Sequence, residues 1–257
     1  MRLNIKITLL LFPFCFGALR GSAETPRTIA QQSSMWLWVA GQVRLTRYFG
    51  LQTEAILRFN EFQRSQQHEF HLGGDIYLGD RFVVTPVAYG FFLNYPYGKF
   101  PALGRQYEHR IWQQILYRNN WGRVGFNARI RSEENWRQRQ IKEASGNILD
   151  NGYAFKARIR TRLQVNIALN HHTLQQAKTL SLNIWDEMYA AVGPEVTYHY
   201  PEENRAQIGL GYRFNRWAVL SVGYMHQLIL RNNGTQAESN HTLVVFALFQ
   251  IDARKKK

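Results

Sequence analysis

The chain has 257 residues, of which 45% are hydrophobic and 14% aromatic, and its formal net charge is +14 at pH 7. Its mean hydropathy is nevertheless −0.37, which indicates that apolar residues are interleaved with polar ones along the chain. A charge of this size often indicates nucleic-acid binding, but here the cations alternate along strand-like segments and form no basic loop or helix, so we exclude nucleic acid as a partner.

Residues 1–23 have the pattern of a cleaved signal peptide. Two cations precede an apolar stretch from Ile7 to Gly17, and small residues ending at Ala23 provide a cleavage site. The apolar stretch is too short to span a bilayer, and no later run approaches the ~18 residues that suggest a spanning helix. Removal of this leader lowers the net charge to +11 and removes Cys15, the single cysteine, so the mature chain has no disulfide and no cysteine-based site.

Residues 155–169 alternate between polar and apolar side chains almost without error. Cations occupy four successive alternate positions: Lys156, Arg158, Arg160 and Arg162. On a helix, residues two apart are rotated by roughly 200°, so these cations would fall on opposite sides. On a strand they form one basic face opposite an apolar face. The run is longer than the ~9–11 residues of a tilted strand that crosses a bilayer, and it therefore predicts a strand of a membrane barrel.

Similar runs recur along the whole mature chain. We identify eleven of them in chain order: 35–46, 49–59, 69–78, 81–93, 105–118, 123–135, 153–169, 179–192, 204–214, 218–230 and 239–251. No linker or change in composition separates them, so residues 24–257 are predicted to form one domain. Bacterial barrels normally have an even number of strands, so either a weak first strand hides in 24–34 or a run has been split or missed. We predict an all-β, transmembrane, antiparallel up-and-down β-barrel of 10–12 strands, with twelve as the best value.

The predicted connections alternate in length. Short ones follow the first, third, fifth and ninth runs, and long polar ones lie between: 60–68, 94–104, 136–152, 193–203 and 231–238. The connection at 170–178 is a longer exception. Outer-membrane barrels have this asymmetry, with short periplasmic turns and longer extracellular loops. Aromatic residues at both ends fit two membrane interfaces, although aromatic residues also favour strand ends in general.

The polar face of the runs is predicted to line the interior, because an Arg or Lys facing lipid at mid-bilayer costs roughly 2–4 kcal/mol. Sixteen charged residues are candidates for this lining: Arg44, Glu54, Arg58, Asp75, Glu108, Arg110, Arg129, Arg131, Glu133, Lys156, Arg158, Arg160, Arg162, Glu187, Arg205 and Arg213. They comprise eleven cations and five anions. An excess of six cations favours a pore that attracts small anions. Alternatively, arginine–carboxylate pairs form a network that fills and closes a narrow barrel.

A lipid-modifying enzyme is an alternative class. The nearest match to a base-activated nucleophile is Ser239-Asn240-His241, at a strand start, and His172 before Thr173 lies in a connection. His68 and His71 lack the helical spacing of a zinc protease. We therefore predict no catalytic residue, no cofactor and no metal. An accessory subunit of a larger outer-membrane complex remains a further alternative, since apolar residues that face lipid or a partner look alike.

A resemblance to a known family rests on four groups of residues in chain order: Glu108, Arg110, Trp112, Gln113 and Gln114; the basic segments at Arg129-Arg131-Glu133 and Arg158-Arg160; Asn204-Arg205 with Gly209, Gly211 and Tyr212; and Gly223-Tyr224-Met225 with Gln227. In this order the chain resembles an uncharacterised family of outer-membrane barrels from Gram-negative, Bacteroidota-type bacteria. The resemblance implies a barrel fold, a bacterial outer-membrane location and contact with outer-membrane lipids, and it implies no catalytic or ligand-binding residue.

Overall fold

The alternating runs become eleven β-strands in the computed structural model, which describes residues 27–192, 202–231 and 233–254. The predicted signal peptide, residues 1–23, lies outside the described residues. The strands are β1 (Thr28–Arg44), β2 (Phe49–Asn60), β3 (Arg64–Leu78), β4 (Phe82–Asn94), β5 (Gln106–Trp121), β6 (Val124–Lys142), β7 (Ile148–Ala168), β8 (Thr179–Val192), β9 (Glu203–Arg213), β10 (Ala218–Leu230) and β11 (Gln236–Asp252).

The strands form a closed barrel in which each strand pairs with the next one in the chain. All sequential pairs are antiparallel, whereas β1 and β11 pair in parallel, from Thr28 opposite Gln236 to Arg44 opposite Asp252. We call the parallel pair of β1 and β11 the parallel seam. It follows from the odd number of strands, because the first and last strands of an odd up-and-down series run in the same direction. The predicted barrel class is confirmed, and the number of strands equals the number of runs in the sequence.

The best value of twelve strands is therefore one too many. It rested on the even number that is usual for bacterial barrels. In the part of the chain that the structure describes, residues 28–34 form no separate strand but continue directly into the first predicted run as the start of β1. A parallel seam satisfies the backbone groups of both edges as completely as an antiparallel one, so an odd number of strands also closes the barrel.

Two of the predicted long connections are much shorter than expected. The one at 60–68 is a turn of three residues, in which Glu61 and Phe62 adopt positive φ angles of 51° and 63°. The one at 136–152 is mostly strand, since β6 continues to Lys142 and β7 begins at Ile148. Both faces of this outer hairpin are exposed to water, so its side chains need not alternate in polarity and the pattern gives no strand signal.

The barrel carries its apolar residues outside and most of its polar residues inside. Large hydrophobic side chains such as Leu51, Ile130, Ile159 and Leu210 are exposed on the outer face. Arginine, glutamate, glutamine and asparagine side chains dominate the buried positions, together with an apolar cluster of Trp36, Trp185, Met225 and Val244. A soluble ligand-binding barrel would have the opposite arrangement, with polar residues outside. An apolar exterior of this extent indicates a non-aqueous surrounding or a partner.

The two ends of the barrel differ in their connections. The turn end comprises residues 45–48, 79–81, 122–123, 169–178 and 214–217. Among the described residues, the loop end comprises 61–63, 95–105, 143–147, 202, 231 and 233–235. The chain enters β1 at the loop end and leaves β11 at the turn end. No helix in the described ranges is long and apolar enough to cross a membrane.

Two glycines that lie opposite each other in β9 and β10 allow a test of the register between these strands. Gly223 lies directly opposite Gly209, and a Cβ atom on Gly223 would lie 2.7 Å from the Ile208 carbonyl oxygen. Backbone atoms cannot move aside as a flexible side chain can, so Gly223→Ala is expected to destabilise the barrel by about 1–3 kcal/mol. Thermal unfolding in lipid vesicles measures the effect. Gly74→Ala is the control, because no atom lies within 4 Å of the added Cβ, and equal effects of the two changes would contradict the register.

Candidate functional site

Charged and aromatic side chains fill the barrel interior at mid-height, and we call them the central layer. Its members are Trp36, Arg58, Glu69, Trp112, Arg131, Glu133, Arg158, Arg160, Trp185, Glu187, Tyr189 and Arg205. They project from strands on opposite sides of the barrel and meet inside it. The Arg205 guanidinium of β9 lies 4.9 Å from the Trp36 ring of β1, and Arg58 of β2 lies 3.8 Å from the same ring. The contact of Arg205 with Trp36 connects two strands that share no backbone hydrogen bonds, whereas Arg58 lies directly opposite Trp36 on the paired strand.

Glu133 is the most highly connected carboxylate of the central layer. Its side chain is 1% exposed. Arg158 donates from Nε to Oε2 at 2.8 Å, Arg160 donates to Oε1, and Arg131 lies within 3.5 Å of Oε1. Arg110 approaches Oε2 at 4.0 Å. A buried carboxylate must be compensated by hydrogen bonds and opposite charge, and four guanidinium groups supply both here.

Glu187 forms a second centre that shares Arg160 with Glu133. Arg160 Nη2 donates to both carboxylate oxygens of Glu187 at 3.0 Å, and Arg129 donates to Oε1 of the same group. The Tyr189 hydroxyl donates to Oε2 at 2.9 Å and is fully buried. Arg160 therefore connects the two carboxylates into one continuous network across β6, β7 and β8.

A further part of the network lies across β2, β3 and β9. Arg58 pairs with Glu69, and the His71 ring lies 3.2 Å from both Glu54 and Glu69. On β9, Glu203 receives hydrogen bonds from Arg205 and from Gln227, each at 2.5 Å. Most of the buried charge of the interior is thus neutralised locally.

The interior below the central layer, toward the turn end, is polar but less highly charged. Thr85 donates to Asp75 at 2.6 Å, and Gln52 donates to the same carboxylate oxygen at 3.0 Å. Arg44 lies 4.4 Å from the Tyr77 ring, and Arg213 donates to the Leu174 carbonyl oxygen at 2.8 Å. Arg44 and Arg213 therefore belong to this lower region, whereas Asp75 is connected to Arg131 of the central layer through Thr85 and Gln114.

All sixteen candidate residues occupy positions at which the side chain is buried or half-buried. The structure brings most of them together in and around the central layer. Lys156 stands apart, because it pairs with Glu202 near the loop end. The sequence did not predict an interior position for Glu69, His71, Glu203 and Glu238. Glu69 and His71 share a face of β3 with Asp75, a signal that alternation could have supplied. Glu203 and Glu238 each lie one residue before a predicted run.

These missed carboxylates correct the charge balance. The sequence suggested eleven cations against five anions, but buried Glu69, Glu203 and Glu238 add three further anions to the interior. The cavity at the centre of the layer is lined by seven arginines and four glutamates, and its volume is about 30 Å³. Such a volume accommodates little more than a water molecule. The interior is still cationic at this level, but less so than the sequence indicated.

A second closure lies at the loop end. The connection between β4 and β5 turns inward, so that the Tyr97 hydroxyl donates to Glu238 of β11 at 3.2 Å. Glu238 is fully buried and also pairs with Arg231. Beside this contact an open groove of about 930 Å³ is lined by residues of β1, the β2–β3 turn and the β4–β5 connection, among them Gln32, Arg64 and Lys99.

The residues considered for catalysis do not form a complete acyl-transfer site in the part of the chain that the structure describes. His226 Nε2 lies 3.0 Å from Ser239 Oγ on the outer face, and the Tyr224 hydroxyl lies 2.6 Å from His241 Nδ1. No described carboxylate contacts either histidine ring to orient it. Glu187 points inward, whereas Asp186 points outward and accepts a hydrogen bond from Asn204 at 3.1 Å.

A metal site is likewise not formed by the described residues: they contain no cluster of three His, Cys, Asp or Glu side chains that could hold a metal ion. His68 and His71 lie on opposite faces of β3, because they are three residues apart on a strand. They therefore cannot act together as ligands of one ion.

Comparison with known proteins places the chain in a sequence family. The sequence profile of a family described as "Protein of unknown function (DUF2490)" matches residues 33–238. No curated protein sequence matches the chain significantly. Among solved structures, the NanC porin in a rhombohedral crystal form is similar at 13% sequence identity and a TM-score of 0.45, over 82% of this chain and 90% of the porin chain.

Proposed function

Since this chain belongs to the family of proteins of unknown function DUF2490, which assigns no activity, we propose its function from the barrel itself: a non-enzymatic outer-membrane protein with a closed lumen and a structural role. The apolar exterior and charged interior support the membrane location. In hydrocarbon every backbone polar group must be paired within the protein, and a closed barrel satisfies this requirement through its strand pairs. The alternating strands and the shorter turns at one end fit the outer membrane.

One observation carries the structural role, namely the packed central layer. Arginine and glutamate side chains from both sides of the barrel meet over Trp36, Trp112 and Tyr189, and the remaining cavity of about 30 Å³ is too small for a hydrated ion. Small barrels are commonly filled by their own side chains in this way. Passage of any solute would require the ion pairs of Glu133 and Glu187 to separate.

Recording from planar bilayers tests this closed state. Purified protein that has inserted, as judged by its heat-dependent shift in gel mobility, is expected to give no steady conductance above that of the bare membrane. The ion pairs of the central layer have no reason to open at moderate voltage, because each buried charge would lose its partner. Regular conductance steps from the unmodified protein would contradict the closed lumen, provided that they scale with the amount of protein inserted.

A narrow anion-preferring conduit is the second candidate. The seven arginines and four glutamates around the central cavity favour it, because a cationic constriction attracts anions and repels cations. Arg131 and Arg162 contribute most to this preference: Arg131 lies 3.5 Å from its nearest carboxylate, and the hydrogen bond of Arg162 goes to neutral Gln164. On this hypothesis the closed arrangement is one state of a pore that opens when the central layer rearranges.

A further inference from the structure

Each connection at the turn end of the barrel carries an exposed basic residue. These residues, together with the one that follows β11, are Arg47, Arg81, Arg123, Lys178, Arg216 and Arg254, and we call them the basic ring. Because each connection joins two neighbouring strands, the positions recur at intervals of about two strands around the whole circumference. The basic ring therefore extends around the barrel and is not a patch on one side.

Most of the charge in the basic ring is uncompensated. Within the described residues, the side chains of Arg81, Lys178 and Arg216 form no hydrogen bond or ion pair. Arg123 donates only to the Leu169 carbonyl oxygen, at 3.3 Å. Arg254 pairs with Asp252 at 2.6 Å and so contributes little. Apart from Asp252, the acidic residue exposed in these connections is Asp80.

Exposed aromatic residues lie directly beside the basic ring. Tyr48, Phe49, Trp121 and Trp217 are 47–58% exposed at the same end of the barrel. Aromatic side chains of this kind mark the boundary between hydrocarbon and lipid headgroups. The basic ring lies just beyond that boundary, at the level of the headgroups.

The loop end carries exposed charges of both signs. Among the described residues, its exposed cations Arg64, Lys99, Arg105, Arg137, Arg139 and Lys142 are accompanied by exposed Glu61, Glu143 and Asp150. Cations exceed anions at both ends, so cations of the loop end provide a matched comparison for the basic ring.

We propose that the basic ring binds the phosphate groups of anionic phospholipids in the membrane leaflet at the turn end. A lipid leaflet surrounds the barrel on every side, as the ring does, whereas a protein docked on one side would need cations on that side alone. Guanidinium groups bind phosphate oxygens well, and long basic side chains reach the headgroups from the membrane boundary. The inference rests on the proposed membrane location.

Spin-labelled lipids measure this binding directly. The protein is reconstituted in phosphatidylcholine bilayers, and electron paramagnetic resonance gives the relative association of spin-labelled phosphatidylglycerol and phosphatidylcholine. The unmodified protein is expected to prefer phosphatidylglycerol severalfold at low salt. The triple variant R81Q/K178Q/R216Q is expected to lose most of this preference. Because these three side chains are exposed and form no hydrogen bond or ion pair within the described residues, the variant should fold normally.

The matched control neutralises three cations at the loop end, as K99Q/R105Q/K142Q. It changes the net charge by the same amount and is expected to keep the preference for phosphatidylglycerol. Roughly 1 M salt should abolish the preference in all proteins, because the Debye length falls to ~3 Å. If the turn-end variant keeps its full preference for phosphatidylglycerol, the proposal is overturned. An acidic soluble protein would then be the better candidate partner of the basic ring. Equal losses in both variants would also overturn the proposal, by showing that net charge alone decides.

Failure of the membrane location gives a different result. A protein that does not enter bilayers shows no motionally restricted lipid of either kind, whereas a protein that enters without using the basic ring shows equal association of the two lipids.

Discussion

Glu133→Gln is expected to lower the free energy of unfolding by about 3–5 kcal/mol, the range for removing one partner of a buried ion pair. The substitution keeps the shape of the side chain but removes its charge, so that Arg158 and Arg160 lose a shared anion. Arg160 retains Glu187, whereas Arg158 retains no ion pair of its own among the described residues. Urea-induced unfolding in lipid vesicles, followed by tryptophan fluorescence, measures the change.

Glu134→Gln is the matched control for this prediction. Glu134 is the next residue in β6, but its side chain lies on the outer face, half-buried, and forms no ion pair within the described residues. The two variants have the same change in charge and differ only in the face of the barrel affected. We expect the Glu134 variant to unfold within about 0.5 kcal/mol of the unmodified protein. If the two changes destabilise the barrel equally, the network around Glu133 is not what holds the interior together.

The triple variant W36A/W112A/Y189A is expected to convert a silent barrel into a conducting one. All three side chains are almost completely buried, and arginines stack on each of them in the central layer. Their removal enlarges the central cavity and releases these arginines from their stacked positions, so that water and ions can pass. Planar-bilayer recording should show discrete conductance steps that the unmodified protein lacks.

The control for this variant removes aromatic residues from the outer surface instead, as W121A/W217A/Y48A, and is expected to remain silent. Under a salt gradient the opened barrel should prefer anions, and further replacement of Arg131 and Arg162 by glutamine should reduce that preference. Silent bilayers despite insertion would show that the aromatic residues do not block the lumen. A preference for cations in the opened barrel would contradict the anion conduit.

The strands could be predicted because one physical constraint acts on every residue of a bilayer-spanning strand. A side chain faces either hydrocarbon or the interior, so polarity alternates wherever the strand lies within the membrane, as between Lys156 and Ile167. Outside the membrane both faces contact water and the constraint disappears. The hairpin of β6 and β7 therefore extends beyond its predicted limits, and the start of β3 at Arg64 was mistaken for a loop.

The sequence predicted which residues face the interior better than it predicted which of them contact one another there. Alternation assigns a face to a residue, but it does not say which side chains meet across the lumen. The contact of Arg205 with Trp36 joins β9 to β1, and the sequence contains no signal for it. The charge excess was overestimated for a related reason: Glu69 at the start of a run, and Glu203 and Glu238 just outside runs, were left out of the interior.

The parallel seam between β1 and β11 has a consequence for assembly. In a barrel with an even number of strands, both chain ends lie on the side of the membrane from which the protein is inserted. Here Thr28 lies at the loop end and Asp252 at the turn end. In the proposed membrane location these two positions face different compartments, so the start of β1 would have to cross the bilayer before β11 pairs with it.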